Sequence, residues 1–385
     1  MKIVNKSFSK IDGNGLVEGK PVYTDDLAPK DALIVKVLRS PYAFARIKEI
    51  NTKIAEKVPG VECVITYKDI KRRAYTRAGQ CYPEPSPYDK FILDEYVRHV
   101  GDEVAIIAAI DEKTATKAMK LIKVEYEVLE PVLDYEKADG HTSLVHLEGD
   151  IFTMTDIGFD RNRNIACQVN LELGDVEKVL RGSEVVITMT YSSQAQAQAM
   201  METQRAYTYI DMYGRLVVVT STQIPFHVRR ILSTALGISE SKIRVIKPRI
   251  GGGFGAKQTV NAEFYPALVT LKTGKPAKIV YTRKEVFRGT NTRHEMKFQV
   301  TLGATKDGKI KAVDMVGISD TGAYGEHSQT TIAAAGEKVL PLYNKIEAYR
   351  YYGKAVYTNK VPGAALRGFG VTQGTFAIES AVNEL

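Results

Sequence analysis

A chain of 385 residues, 44% hydrophobic and 25% charged, is long enough for two or three packed domains and has the composition of a globular protein with a sizeable core. No stretch reaches the ~18–20 consecutive apolar residues of a membrane span, and Met1–Lys6 lacks a secretory apolar region, so the expected compartment is the cytoplasm. The net charge of +8 is scattered, and its densest runs, Lys71-Arg72-Arg73 and Arg229-Arg230, lack the interleaved aromatics of a nucleic-acid groove; a solvated surface, an anionic cofactor or an acidic partner subunit fits it better.

Residues 1–30 read as an irregular leading segment, with turn residues around a short extended piece at Gly19–Leu27. Ala32–Leu38 and Val61–Tyr67 are apolar, β-branched runs expected as strands. Residues 68–95, with Pro83, Pro85 and Pro87, form a polar excursion. Val104–Ile110 is a buried strand, Glu112–Leu121 a helix with Ala115, Ala118 and Met119 on one side, and Ile122–Val128 an alternating strand. Glu130-Pro131 closes a first α/β unit, residues 1–132, and 133–165 reads as a linker with turn signals at Asp139-Gly140 and Gly149-Asp150. The spacing of Cys63, Cys81 and Cys167 predicts free thiols, with neither an iron–sulfur cluster nor a structural zinc on this chain.

The second unit, 166–385, opens with a short helix at Asp175–Leu180 and a strand at Glu184–Tyr191. Arg205–Ile210 and Leu216–Thr220 form a hairpin across Asp211-Met212-Tyr213-Gly214. Phe226–Leu236 is an amphipathic helix stopped by Gly237, and Ile243–Ile246 a short strand. Ala277–Tyr281 follows as a strand, then Met296–Thr305 and Ile310–Ile318, joined by the hairpin signal Lys306-Asp307-Gly308-Lys309. Thr375–Leu385 has helical periodicity. The fold class expected is α+β, a mixed α/β chain.

Between Ile246 and the apolar residues Val260, Phe264, Leu268 and Leu271 lies Ile250-Gly251-Gly252-Gly253-Phe254-Gly255-Ala256-Lys257-Gln258. A glycine-rich backbone can approach a ligand closely and aim its N–H groups at it. Strand, glycine turn and helix start would form an anion cradle, with a helix over Thr259–Leu271 that Pro266 kinks or divides, so its first turns are the firm part. The spacing fits neither a P-loop, since Ala256 precedes Lys257 and Gln258 follows it, nor the dinucleotide fingerprint, which would put Phe254 in the pyrophosphate turn. Tight strand–helix packing alone would account for an isolated glycine run.

Three further segments exceed what a plain fold requires. Gln194, Gln196 and Gln198 place amides on alternate residues, on one face if extended; a solvent-facing strand edge is the ordinary alternative. Ser221-Thr222-Gln223-Ile224-Pro225 is a polar loop before a helix. Pro362–Gln373 holds a second glycine-rich turn, Arg367-Gly368-Phe369-Gly370, whose arginine suits capture of an oxyanion or is a plain surface residue.

Taken in this order, these segments resemble the molybdenum-cofactor subunit of the molybdenum hydroxylases, the xanthine dehydrogenase/aldehyde oxidoreductase family. Gly19–Leu27, Arg39–Ile47, Val97–Ala105 and Val124–Pro131 resemble its N-terminal α/β hammerhead domain; residues from about 165 resemble the first part of its molybdenum-cofactor-binding region. The resemblance implies that Gln196 hydrogen-bonds the metal's oxo group and that Phe254 and Gly255, with Gly252 and Gly253, present backbone amides to the molybdenum-molybdopterin, a dinucleotide form included. Arg367 would bind the pterin side and Phe369 would stack on a flat substrate. Gln258 falls where xanthine-oxidising relatives carry a glutamate, and Thr331–Gly336 holds no arginine where those relatives have one, which moves the expectation from xanthine to another N-heterocycle or an aldehyde.

Such enzymes hydroxylate carbon with oxygen from water and pass electrons to iron–sulfur and flavin (FAD) subunits. The family's general-base glutamate lies in the C-terminal half of the full subunit, so the chain is expected to need a second molybdenum-binding chain or that half, and to be inactive alone. A divided subunit is similar to that of nicotinate dehydrogenases, which makes nicotinate a candidate. Two readings compete: a non-catalytic scaffold with the same fold, separated by molybdenum and pterin analysis, and a nucleotide-binding enzyme, separated by a nucleotide-induced thermal shift.

Overall fold

Two β-sheets carry most of the chain in the computed structural model, which describes residues 2–20 and 22–385; Met1, and Pro21 within the turn expected at Gly19–Leu27, lie outside the described residues. A seven-stranded sheet runs in the order Ile243–Ile246, Leu216–Thr220, Arg205–Ile210, Ala277–Val280, Leu33–Arg39, Glu103–Ala109, Val61–Thr66. The sheet therefore crosses from the first unit to the second, through the parallel pairing Leu33↔Ala277 and Ile34↔Lys278. Apolar Val35, Ile106, Val218 and Ile279 meet Ile231, Leu232 and Phe264 from two helices, Pro225–Leu236 and Phe264–Thr273, in one core.

A five-stranded sheet, Val185–Ser193, Glu295–Ala304, Ile310–Gly322, Ala348–Tyr357, Ile165–Leu173, makes the second core. Helices Ser328–Glu337 and Val371–Glu384 cover it through Ile332, Ala377 and Ile378, which pack on Phe298, Met315 and Tyr351. Among the described residues no helix is long and apolar enough to cross a membrane.

Where local pattern dominates, the expected elements form. Glu112–Leu121 is the helix, capped by Asp111, whose carboxylate accepts from Thr114 N at 2.7 Å. The 205–220 hairpin pairs Ile210↔Leu216 around the Asp211–Gly214 turn, and Gly237 ends its helix at φ 68°. The mixed α/β class expected from the sequence is the class observed.

Four expectations change. The helix expected over Thr259–Leu271 begins only at Phe264, so residues 259–263 do not form its first turns. Pro266 then falls in the first turn, where its missing N–H has no intrahelical partner to lose, and neither kinks nor divides the helix. The 68–95 excursion is largely buried from Tyr75 onward, because it is the seam between the sheets. There Tyr357 Oη and Gly325 N donate to Asp89 Oδ2 at 2.8 and 2.7 Å, and Tyr324 Oη to Asp102 Oδ2 at 2.6 Å. Residues 133–165 are packed too, with Tyr135, Ala138, Val145 and Ile157 inside the second core. In the leading segment a short helix forms at Gly13–Val17. Strands Ala45–Asn51 and Ala348–Tyr357 and helices Arg283–Gly289 and Ser328–Glu337 were not anticipated; their apolar positions are too few or too tyrosine- and alanine-rich to show a clear period.

Candidate functional site

The strand Ile243–Ile246 leaves the seven-stranded sheet at its edge and delivers the chain to Gly251–Gly255. This loop does not run into a helix N-terminus, since the next helix begins only at Phe264; it is braced instead by a buried polar cluster. One carboxylate oxygen, Glu202 Oε2, accepts from Gly251 N at 2.7 Å, Lys257 Nζ at 2.8 Å and Ser221 Oγ at 2.5 Å. Lys257 also donates to Ser221 Oγ at 2.7 Å. Burial pulls the Lys257 ammonium below its ordinary range, and the Glu202 carboxylate opposes that pull. At the far end, Gly255 N donates to Gln223 Oε1 at 3.1 Å.

That last bond corrects the expected donor set: the Gly255 amide is engaged within the protein. Among the described residues, the amides of Gly252, Gly253 and Phe254 donate to no protein acceptor. Phe254 is held at φ 51°, left-handed backbone that a phenylalanine rarely adopts, with half its surface exposed at 50%.

The second turn repeats the device. Phe369 sits at φ 49° between Gly368 at 99° and Gly370 at 90°. Arg293 braces this turn, donating to Arg367 O at 2.8 Å, Thr372 Oγ1 at 2.7 Å and Gln373 Oε1 at 3.0 Å, and Gln198 Nε2 donates to Ala365 O at 2.8 Å. The two turns touch: Arg367 N donates to Phe254 O at 2.9 Å, and a Cβ on Gly255 would lie 2.5 Å from Ala365 O. Glycine at 255 is thus required by φ, 101°, and by the neighbouring backbone together.

Against the joined turns lies a cavity of about 680 Å³ that brings together Phe254, Gly255, Gln258, Arg367 and Phe369. Gly79 and Gln80 of the seam, Gln223 of the polar loop, and His327 and Thr330 at the start of the Ser328–Glu337 helix complete its wall. Gln196 is not in this cavity. It lines a separate cleft with Gln194, Arg293, Thr372 and Gln373, behind the second turn, and its carbonyl accepts from Arg293 N at 2.8 Å. Gln194, Ala195 and Gln196 line the same cleft, while Gln198 Nε2 donates to Ala365 O instead.

Sequence reasoning missed Glu202, Lys257, Arg293 and His327. Arg293 and the Lys257–Glu202 pair act through the folded chain, and no spacing links their partners; His327 had no local signal at all. Gln223 lay in a stretch singled out for its polarity, but only the fold brings it to Gly255.

Two clefts share this wall of joined turns. One is lined by Phe254, Phe369 and Arg367, the other by the amides of Gln194 and Gln196 and the guanidinium of Arg293. Arg367, exposed at the rim, has no side-chain hydrogen bond or ion pair to protein among the described residues. Backbone donors and guanidiniums without carboxylate partners suit a large anionic cofactor with several oxygen acceptors, and an aromatic-walled cavity beside it suits a small planar molecule. The class these features fit is a subunit that binds a large anionic cofactor, with a second, aromatic-walled cavity beside that cleft.

Known proteins fit this description. A family model described as "Molybdopterin cofactor-binding domain" matches residues 159–385, and one described as "Aldehyde oxidase and xanthine dehydrogenase, a/b hammerhead domain" matches 18–130. The chain is 37% identical over its whole length to the probable hypoxanthine oxidase XdhD of Escherichia coli K12, covering 43% of that protein. It is 32% identical to the nicotinate dehydrogenase large molybdopterin subunit of Eubacterium barkeri, covering 100% of this chain and 86% of that one. Among solved structures, the aldehyde oxidoreductase of Desulfovibrio gigas superposes with a TM-score of 0.86 over 98% of the chain and 42% of its own, at 23% identity, a likeness of fold. Quinoline 2-oxidoreductase of Pseudomonas putida 86 gives 0.81 at 27% identity, covering 98% of this chain and 48% of that one. The chain belongs to the molybdopterin-binding xanthine dehydrogenase/aldehyde oxidase family, and spans under half the length of most of these relatives.

Proposed function

We propose that this chain is the substrate- and cofactor-holding part of a molybdenum hydroxylase acting on a planar N-heterocycle, with nicotinate the leading candidate, in the cytoplasm. The observation that carries the reading is the pair of glycine turns bonded back to back, each holding a phenylalanine in left-handed backbone toward one cavity. Such strain persists where the surroundings over-determine it and a site needs it. Aldehydes remain within reach of the same chamber.

The residues present fit the group the family binds. The amides of Gly252, Gly253 and Phe254 and the guanidinium of Arg367 would hold molybdopterin oxygens, and Gln196 would donate or accept from its own cleft. When bound, the molybdenum cofactor supplies a Lewis-acidic redox centre that accepts two electrons from a substrate carbon, with water as oxygen source. The chain's share is binding and orientation: Phe369 offers a face for a flat ring, Phe254 walls the chamber, and Gln258 gives a neutral amide where an acid would select purines.

A general base and the rest of the wall would come from a C-terminal half or a second molybdenum-binding chain. The half-exposed Phe254 and the unengaged Arg367 support such an addition, as does the near-complete match to a large molybdopterin subunit. Iron–sulfur and flavin subunits would carry electrons away. Metal and pterin analysis of the complex co-purified with this chain tests the reading. Stoichiometric molybdenum and pterin, with hydroxylation of an N-heterocycle, are expected; their absence would favour a scaffold.

A further inference from the structure

His327 is the residue of the cavity wall that neither the motifs nor the proposed roles absorb. It is 1% exposed, yet neither ring nitrogen has a protein hydrogen-bond partner among the described residues. An imidazole buried without partners is costly unless a ligand satisfies it. The ring stands perpendicular to Phe369, with centroids 5.5 Å apart and planes at 84°, and both rings line the same cavity.

Its position is enforced by the residue before it. Glu326 is buried at φ 25°, in left-handed backbone, and its carboxylate accepts from Arg77 Nε at 2.7 Å in a fully buried ion pair. Asp89 holds Gly325 N, and Thr331 N donates to His327 O at 3.0 Å. The seam between the sheets thus locks the start of this helix in place. Burial, reinforced by neighbouring His294, pushes the His327 imidazole down to about 3, so the ring is neutral at working pH and carries one N–H donor and one acceptor.

We infer that His327 is a substrate-binding residue that donates its imidazole N–H to a ring nitrogen of a planar N-heterocycle lying on Phe369, which rests on the hydroxylase reading above. A neutral donor suits a neutral acceptor such as the lone pair of an aza ring nitrogen. This gives the chamber a way to recognise an aza ring without the glutamate and arginine that purine-oxidising relatives carry.

The test uses the intact complex and two probes, pyridine-3-carboxylate and benzoate, which share a carboxylate and differ in the ring nitrogen. Wild type is expected to prefer pyridine-3-carboxylate in calorimetric titration. His327→Leu should weaken that ligand about tenfold, leave benzoate within about twofold, and raise KM with little change in kcat; His327→Asn should restore part of the loss. Molybdenum content, measured on each variant, should not move. A wild type that holds molybdenum but shows no preference for the aza ring, or a His327→Leu complex that weakens both probes equally or neither, overturns the inference and leaves the hydroxylase reading standing. A wild-type complex without molybdenum overturns the reading, and the inference with it.

Discussion

The two glycine turns look alike in backbone and differ in what stands behind them. Gly251–Gly255 rests on an anion: Glu202 gathers an amide, a hydroxyl and the buried Lys257 ammonium on one oxygen. Leu366–Gly370 rests on a cation: Arg293 donates three hydrogen bonds to neutral acceptors and has no carboxylate partner among the described residues. The first support is closed and charge-balanced, so it fixes geometry. The second leaves positive charge on the side facing the cleft of Gln194 and Gln196, where an anionic cofactor would complete it. One turn is a positioned backbone, the other a receptor.

The largest effect should come from breaking the closed support. Lys257→Met leaves the Glu202 carboxylate buried with one cation removed, Arg205 being 3.8 Å away and less well placed. A loss of about 3–5 kcal/mol is expected, read as a lower denaturation midpoint. The double variant with Glu202→Leu should recover much of it, since no lone charge then remains; failure to recover would show that the pair is not the support described here.

Next in size is the contact between the turns. Gly255→Ala and Gly368→Ala both place a Cβ at a positive φ, but the one on Gly255 meets backbone, Ala365 O, from the other turn, whereas the one on Gly368 meets a side chain of its own turn, Thr372. The first should cost about 2–4 kcal/mol and the second about 1–2 kcal/mol. Equal losses would mean that the turns do not bear on each other.

How much of this was legible follows from the range of the interactions. The 205–220 hairpin, the 112–121 helix and both glycine turns were visible because their signals are local: alternation, an aspartate cap, glycines where φ is positive. The two cavity phenylalanines were visible only through the family resemblance. Hidden were the braces. Arg77 and Glu326, which fix His327, are 249 positions apart, and nothing in composition marks them as partners. The same limit hid the seam, since a proline-rich polar run such as 68–95 reads as surface until the second sheet covers it. The cradle reading of the first turn failed for a related reason: Pro266 was weighed as a helix breaker, when a helix starting at Phe264 accommodates it without cost.

A third experiment probes the neutral backing of the second turn. His294 is fully buried against Gly363 and, like His327, is held down to about 3, chiefly by burial. Unfolded histidine takes up a proton below about pH 6.5. The folded chain binds fewer protons in that range, so stability is complete above about pH 6.5 and is lost as pH falls toward 3. Each histidine should remove about 2 kcal/mol between pH 6.5 and 5. Urea denaturation of His294→Leu at both values should show a smaller acid loss than wild type, whatever its stability at pH 7, while His327 and the buried His99, also held down by burial, keep theirs. An unchanged acid slope would place the sensitivity elsewhere.

The smallest effect on folding should accompany a clear effect on binding. Arg367 is exposed and its side chain has no hydrogen-bond acceptor among the described residues, so Arg367→Gln should leave stability within about 0.5 kcal/mol. If the second turn is a receptor, the same substitution removes a charge-assisted contact to an anionic group, and the complex should lose molybdopterin about tenfold more readily on dilution. Arg293→Gln is the matched comparison, because it removes the brace rather than the contact. That variant should lower stability and cofactor retention together. Arg367→Gln lowering stability as much as Arg293→Gln would make Arg367 part of the brace, and the distinction between a positioned backbone and a receptor would fall.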